Sequence, residues 1–441
     1  MSSRARKLTF AVAALVCCAA AVDAAFAANV SGDYQVGGPV AGDNAAPAII
    51  ALTHGNLGAY ASHQPLMGPV SLLLRAPFTG IATALGAGPL SGYQIGALAC
   101  LLIVAGFAAW LIAAWAPVAL RGRDLSLAWL AGPLAAYVLL GPVTHEAVAV
   151  GHPEEPLAAV LVTGAVLAAA AGRFELAAVS LGLAVGTKEW ALIGVVPVLI
   201  ALPRRRGRTM GIAAGVAAVL YAPGAIVDPS ALGHAGHMLA DKRIVNAFSI
   251  WWLIGEPLHV AGFVSTTVRL LPAGFTRLRL VELLAFTGIV LAPLVWVASR
   301  RGVRIRDPLA VLALLGLLRA VTDPLPQEYY FLALLVPLAA WELVSIGRLP
   351  VLSILATLFV DLIPGAHAQL SSTGRSLLTL TFSVSFALYL GYRSAIQPAA
   401  RAPWIERLSV TLCARWRSSS SRPASLTAPA SPASSKASRP G

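Results

Sequence analysis

His152, Glu154 and Glu155 crowd into one short stretch, "GHPEE", beside Pro153 and Pro156 and between strongly apolar runs. A histidine and two carboxylates can move protons, hold a cation or bind hydroxyl groups. "HPEE" has no specific metal spacing, so the expected metal set is none, with a divalent cation left open. The two acids could equally favour the positive N-terminal end of a following helix, and Pro156 suits that first turn. Downstream, "GTKEWAL" sets Lys188 and Glu189 between two short apolar runs. A charge at mid-bilayer costs about 2.5–3.5 kcal/mol, so Lys188 belongs at a helix end or in a polar cavity. There its ammonium could bind a phosphate as a point charge. Pairing with Glu189, or snorkelling, are the plainer alternatives.

Upstream, "GDNAAPAIIALTHGNL" offers Asp43, a carboxylate suited to take a proton from a sugar hydroxyl at a membrane surface. Asp43 or Asn44 could also cap the helix that follows. "GHAGHMLADKR" carries His234, His237, Asp241, Lys242 and Arg243, with the two histidines spaced to share a helix face. A solvated loop helix is the simpler reading, in which Lys242 and Arg243 contact lipid phosphates. "TDPLPQEYY" brings Asp323, Glu328, Tyr329 and Tyr330 to one turn. The tyrosines suit an interfacial belt, or surfaces that stack on and hydrogen-bond a sugar.

These groups need elements to hold them. Of 441 residues 58% are hydrophobic and only 12% charged, where a soluble domain carries about 25% charged residues. The chain therefore reads as an all-α polytopic membrane protein. Its net charge of +13 is no nucleic-acid signal, because Arg and Lys fall in short clusters between apolar runs with few aromatics beside them. Cys17, Cys18, Cys100 and Cys413 form neither a CxxC nor a Cys/His pattern. A spanning helix takes about 20 apolar residues. After a first run over residues 8–28, further apolar runs fall near 94–116, 125–142, 156–171, 174–187, 190–202, 209–227, 281–299, 308–321, 329–346, 349–364 and 376–392. That predicts about twelve transmembrane helices, several short enough to be tilted or broken.

Four regions follow: residues 1–28 as a first span or signal anchor, 29–93 as an exported loop with interfacial helices, 94–395 as a helical bundle with an exported 228–280 loop, and 396–441 as a disordered cytoplasmic tail rich in Ser, Pro and Ala. "AFAANV" could be a cleavage site, but an uncleaved span is favoured because more spans follow. The basic N-terminus stays in the cytoplasm, and Arg121, Arg123, Arg173, the "RRRGR" of Arg204 to Arg208, "RRGVRIR" from Arg300 and Arg348 recur on every second loop. The alternation puts all eight histidines and most acids on the exported side, "GHPEE" included.

Taken together, the Asp43 loop, "GHPEE" followed by "GLAVGTKEW", and "TDPLPQEYY" before a late span resemble bacterial membrane glycosyltransferases of the GT-C superfamily. The nearest group is the family-87 type, the polyprenyl-phosphate-mannose-dependent α-mannosyltransferases. The resemblance covers about residues 30–345 and implies a GT-C-like fold in a bacterial cell (inner) membrane with its active site on the exported face. It implies a polyprenyl-phosphate sugar donor rather than a nucleotide sugar, a lipid or glycan acceptor, contact with membrane lipids and no required cofactor; the charge pattern already argues against nucleic acid. On it, Asp43 is the catalytic base and Lys188 a donor-phosphate contact. His152, Glu154, Glu155, Tyr329, Tyr330, Lys242 and Arg243 join the candidate donor or substrate site. The family's turn more often has Gln where His152 stands. The rival reading is a secondary transporter or lipid-carrier flippase, whose charges would lie near mid-bilayer and open to both sides.

Overall fold

The computed structural model describes residues 3–27, 45–62, 68–119, 126–202, 204–230, 243–260, 263–275, 277–278, 307–365 and 369–395. Asp43, Lys242, the 231–242 segment, the apolar run at 281–299 and the tail lie outside them.

The chain is mostly helical. Helix α1 (Ser3–Ala27) packs along α5 (Pro89–Ala119) and α6 (Ser126–Leu140), burying Cys17, Ala21 and Ala24. Small side chains there let helix backbones approach closely. Between α1 and α5 come three helices of the first long loop: α2 (Ala46–Thr53), α3 (Leu57–Ser62) and α4 (Pro69–Ala84). Prolines open α2, α4 and α7 (Pro142–Ala149) within their first two positions, where a missing N–H costs nothing. The N-cap of α2 is Ala45, whose side chain makes no capping hydrogen bond; the expected caps Asp43 and Asn44 lie outside the described residues.

Helix α8 (Glu154–Ala170) and α9 (Phe174–Thr187) form a hairpin, and α9 packs against α11 (Arg206–Val227). Between them the backbone opens at Lys188, which is extended at φ −155° and ψ 132°, before a 3-10 turn (Glu189–Gly194) leads into α10 (Val195–Ala201). Helix α12 (Pro308–Thr322) pairs with α13 (Leu332–Ala340) and α15 (Ser372–Ala395), and α14 (Val351–Gly365) packs on α13. Helix α13 is preceded by a 3-10 turn (Glu328–Phe331) and runs on into a π-helical turn (Trp341–Ile346).

Among the described residues four helical stretches are long and apolar enough to cross a membrane: Lys7–Phe26, Pro89–Ala114, Arg206–Val227 and Glu328–Ile346. The other predicted runs that fall on described residues are helical too. The run at 376–392 lies in the 24-residue α15, and the rest form shorter helices: Gly141 and Pro142 end α6 after 15 residues, and Lys188 ends α9 after 14.

One element departs from an all-helical reading. Within the second long loop, β1 (Ile244–Asn246), β2 (Glu256–Val260) and β3 (Phe263–Leu270) make an antiparallel sheet in the order β1-β3-β2, with Val245 opposite Arg269. The β-branched run "FVSTTV" was the available signal for it. This loop is tied to the bundle. Trp251 Nε1 donates to Thr322 O at 2.7 Å, Ser249 Oγ to Asp323 O at 3.1 Å, and Asn246 Nδ2 to Pro326 O at 3.1 Å.

Candidate functional site

Gly151, within the α7–α8 connection, sits at φ +89°, a conformation only glycine adopts without strain. That turn aims the next residues inward. Glu154 and Glu155, in the first turn of α8, are 0% and 1% exposed. Carboxylates that deep persist only when paired. Lys188 supplies the pairing, because the helix break after Thr187 leaves its side chain pointing at α8. Its Nζ lies 3.1 Å from Glu154 Oε1 and 3.6 Å from Glu155 Oε1. His152 Nδ1 shares Glu154 Oε1 at 2.9 Å. On the other carboxylate, Trp190 Nε1 donates to Glu155 Oε2 at 2.8 Å, and Arg319 Nη2 stands 3.8 Å from Oε1.

Arg319, near the end of α12, bridges to the last part of the site. Its guanidinium lies 4.9 Å from the Trp190 ring and 4.3 Å from the Tyr330 ring, and Nη1 donates to Tyr330 O at 3.2 Å. Tyr329 packs edge-on to Tyr330 and sits 4.9 Å from the His152 imidazole. The first long loop reaches the same place. Gly68, at φ +70°, begins α4 so tightly against α9 that a β-carbon there would stand 2.5 Å from Thr187 O. Within α4, Arg75 is 1% exposed, lies 5.1 Å from the Tyr93 ring, and contributes its positive charge to the field at Glu154. Ala45 packs in one small apolar cluster with Leu72 and Ala76 of α4, the helix that carries Arg75.

Six expected residues therefore converge: His152, Glu154, Glu155, Lys188, Tyr329 and Tyr330. Asp43 and Lys242 lie outside the described residues. Arg243 donates from Nε and Nη2 to Leu271 O at 3.0 and 2.8 Å, which ties the start of β1 to the chain leaving β3. Sequence reasoning missed Arg319, Trp190 and Arg75 as site residues. The signal for Arg319 was a lone charge in "LALLGLLRAVT", and for Arg75 the interruption of "SLLLRAPF". Among the described residues no three His, Cys, Asp or Glu side chains form a metal-binding group.

The charged groups divide between the two ends of the bundle. At the far end of α9, Glu175 meets Arg208 at 3.6 Å, and Arg205 lies over Phe174. At the far end of α12, Asp307 accepts from Leu309 N, Ala310 N and, at 2.6 Å, Trp341 Nε1. The 14 residues of α9 and 15 of α12 separate these ends by about 21–23 Å at 1.5 Å per residue. What the cluster can do chemically is present two cations, a carboxylate-held imidazole and tyrosine faces at one end of an apolar bundle.

Compared with family models, curated proteins and solved structures, the chain matches none.

Proposed function

We propose that this chain is a membrane glycosyltransferase of the GT-C type. It moves a sugar, mannose by the family resemblance, from a polyprenyl-phosphate carrier to a lipid or glycan acceptor at the exported face of a bacterial cell membrane. About twelve crossings would build its bundle, counting short and broken helices. One observation carries the reading: the buried Glu154–Lys188–Glu155–Arg319 cluster gathers at one end of the helices, against the first long loop and the two tyrosines. A carrier lipid keeps its chain in the bilayer and its phosphate at the surface, and a site at a helix end, roofed by a loop, suits that geometry. Cations beside the phosphate stabilise the charge that develops as it leaves. Tyr329 and Tyr330 offer faces and hydroxyls to a sugar.

The placement weighs against the transporter reading, which calls for charge near mid-bilayer reached from both sides. Arg205 and Arg208 mark the opposite end of α9, the end that the positive-inside rule assigns to the cytoplasm. The deciding experiment is transfer from radiolabelled polyprenyl-phosphate-mannose in membranes that contain the full chain. Label should pass to a lipid or glycan acceptor. No transfer from any polyprenyl-phosphate sugar, together with passage of a solute or lipid carrier across vesicles, would replace this reading with the transporter.

A further inference from the structure

The resemblance gives the acceptor's proton to Asp43, but the described site holds a proton acceptor of its own. We propose that His152 is that group, acting through Nε2, with Glu154 and Lys188 as its positioning residues; the proposal rests on the transferase reading.

The argument begins with one oxygen. Lys188 donates to Glu154 Oε1 at 3.1 Å, so Oε1 is an acceptor. The hydrogen between Oε1 and His152 Nδ1, 2.9 Å apart, therefore sits on the ring nitrogen. In a neutral imidazole that leaves the lone pair on Nε2. Among the described residues the ring's hydrogen bond runs from Nδ1 to Glu154, and the side chain is 18% exposed; Nε2 is the atom assigned to the acceptor hydroxyl. A carboxylate behind a histidine, fixing its tautomer and stabilising the imidazolium, is the arrangement that makes a histidine a base in hydrolases.

Nothing in the dyad is left to swing. The His152 N–H donates to Ala147 O at 2.7 Å, and the Glu155 N–H to His152 O at 3.2 Å. Tyr329 packs against the ring. Behind Glu154, the order runs through Lys188 to Glu155, which Trp190 anchors in turn. The charged and titratable groups around the ring are Glu154 and Glu155 on α8, Lys188, Tyr329, Arg319 on α12 and Arg75 on α4.

In the step itself, the acceptor hydroxyl oxygen bonds to the anomeric carbon. The bond from that carbon to the phosphate oxygen breaks, and its electron pair leaves with polyprenyl phosphate. The hydroxyl proton passes to His152 Nε2, and the imidazolium later releases it to water. No oxidant or metal enters the balance.

The test uses the full chain in membranes with polyprenyl-phosphate-mannose as donor. His152→Asn keeps a side-chain N–H where Nδ1 stood, so it can still bond Glu154, but it removes Nε2. Turnover should fall about 10²–10⁴-fold with donor KM unchanged, and further than in Asp43→Asn. Wild-type turnover in His152→Asn, with turnover lost in Asp43→Asn, returns the proton to Asp43 and overturns the proposal. Nitrogen NMR of the histidine-labelled chain, with the His152 signal found by difference against His152→Asn, needs no activity. The neutral ring should carry its hydrogen on Nδ1, and an Nε2–H tautomer overturns the dyad. A wild type that transfers from no donor sinks the transferase, and the tautomer still decides the dyad.

Discussion

Lys188 meets two carboxylates that are all but sealed from solvent, Glu154 at 3.1 Å and Glu155 at 3.6 Å. That changes what its loss should do. A lysine merely touching a donor phosphate could be removed with little effect on the fold. Here removal would strand buried negative charge, and breaking a buried pair from one side costs about 3–5 kcal/mol. Lys188→Met should therefore sharply lower the thermal unfolding temperature in detergent. Adding Glu154→Gln should recover a large part of the loss, because the two changes act on one interaction and are not additive. A single Lys188→Met variant as stable as wild type would show that the ammonium is held elsewhere. Arg319 calls for a gentler probe. Arg319→Lys keeps the charge near Glu155 but gives up the planar stacking on Trp190 and Tyr330. We expect weaker donor use with the fold intact, read as a raised donor KM against unchanged melting.

At the scale of elements, the site exists because helices stop where they do. Helix α9 breaks at Lys188, α8 begins at Glu154, and a 3-10 turn holds Tyr329 and Tyr330 ahead of α13. A continuous helix through any of these would turn the polar side chains around its axis and scatter them. Helix α4 closes the arrangement through Gly68. A methyl there meets Thr187 O, and the positive φ already disfavours any L side chain. Gly68→Ala should cost about 1–3 kcal/mol through the backbone strain alone. It should also loosen α4 from α9, seen as faster hydrogen exchange over α4 than over α12. Equal exchange in the two helices would mean that α4 is held by its packing on α5 instead.

Over the whole molecule, polar clusters at two ends of an apolar bundle define an orientation as well as a site. Asp23, toward the end of α1, lies 3.4 Å from His145 of α7, which runs toward the "GHPEE" turn. The end of the first span and the candidate site therefore share one end of the bundle. On the topology that the positive-inside rule gives, with the basic N-terminus cytoplasmic, single cysteines placed at residues 43 and 152 should react with an impermeant reagent added from outside intact cells. One at residue 205 should react only after the membrane is opened. Labelling of residue 43 from the cytoplasmic side alone would invert the topology and remove the exported site with it.

Much of this was readable in the residues by themselves. The scarcity of charge dictates a membrane-like, mostly helical chain, because burying charge is costly, and the spacing of Arg clusters gives the expected orientation of its turns. Pro and Gly mark helix starts at Pro47, Pro69, Pro142 and Pro308 for equally local reasons. The candidate residues His152, Glu154, Glu155, Lys188, Tyr329 and Tyr330 stood out as polar groups at the lips of apolar runs. Their meeting did not. Glu154 and Lys188 are 34 positions apart and Glu155 and Trp190 are 35 apart, and Arg319 comes from a different hairpin altogether. Nor does local pattern show that α2 begins after Ala45, or that Arg243 bonds Leu271 O. Such pairings are decided by which helix faces pack together and where each helix breaks, and a buried charge takes whichever partner that packing brings within reach.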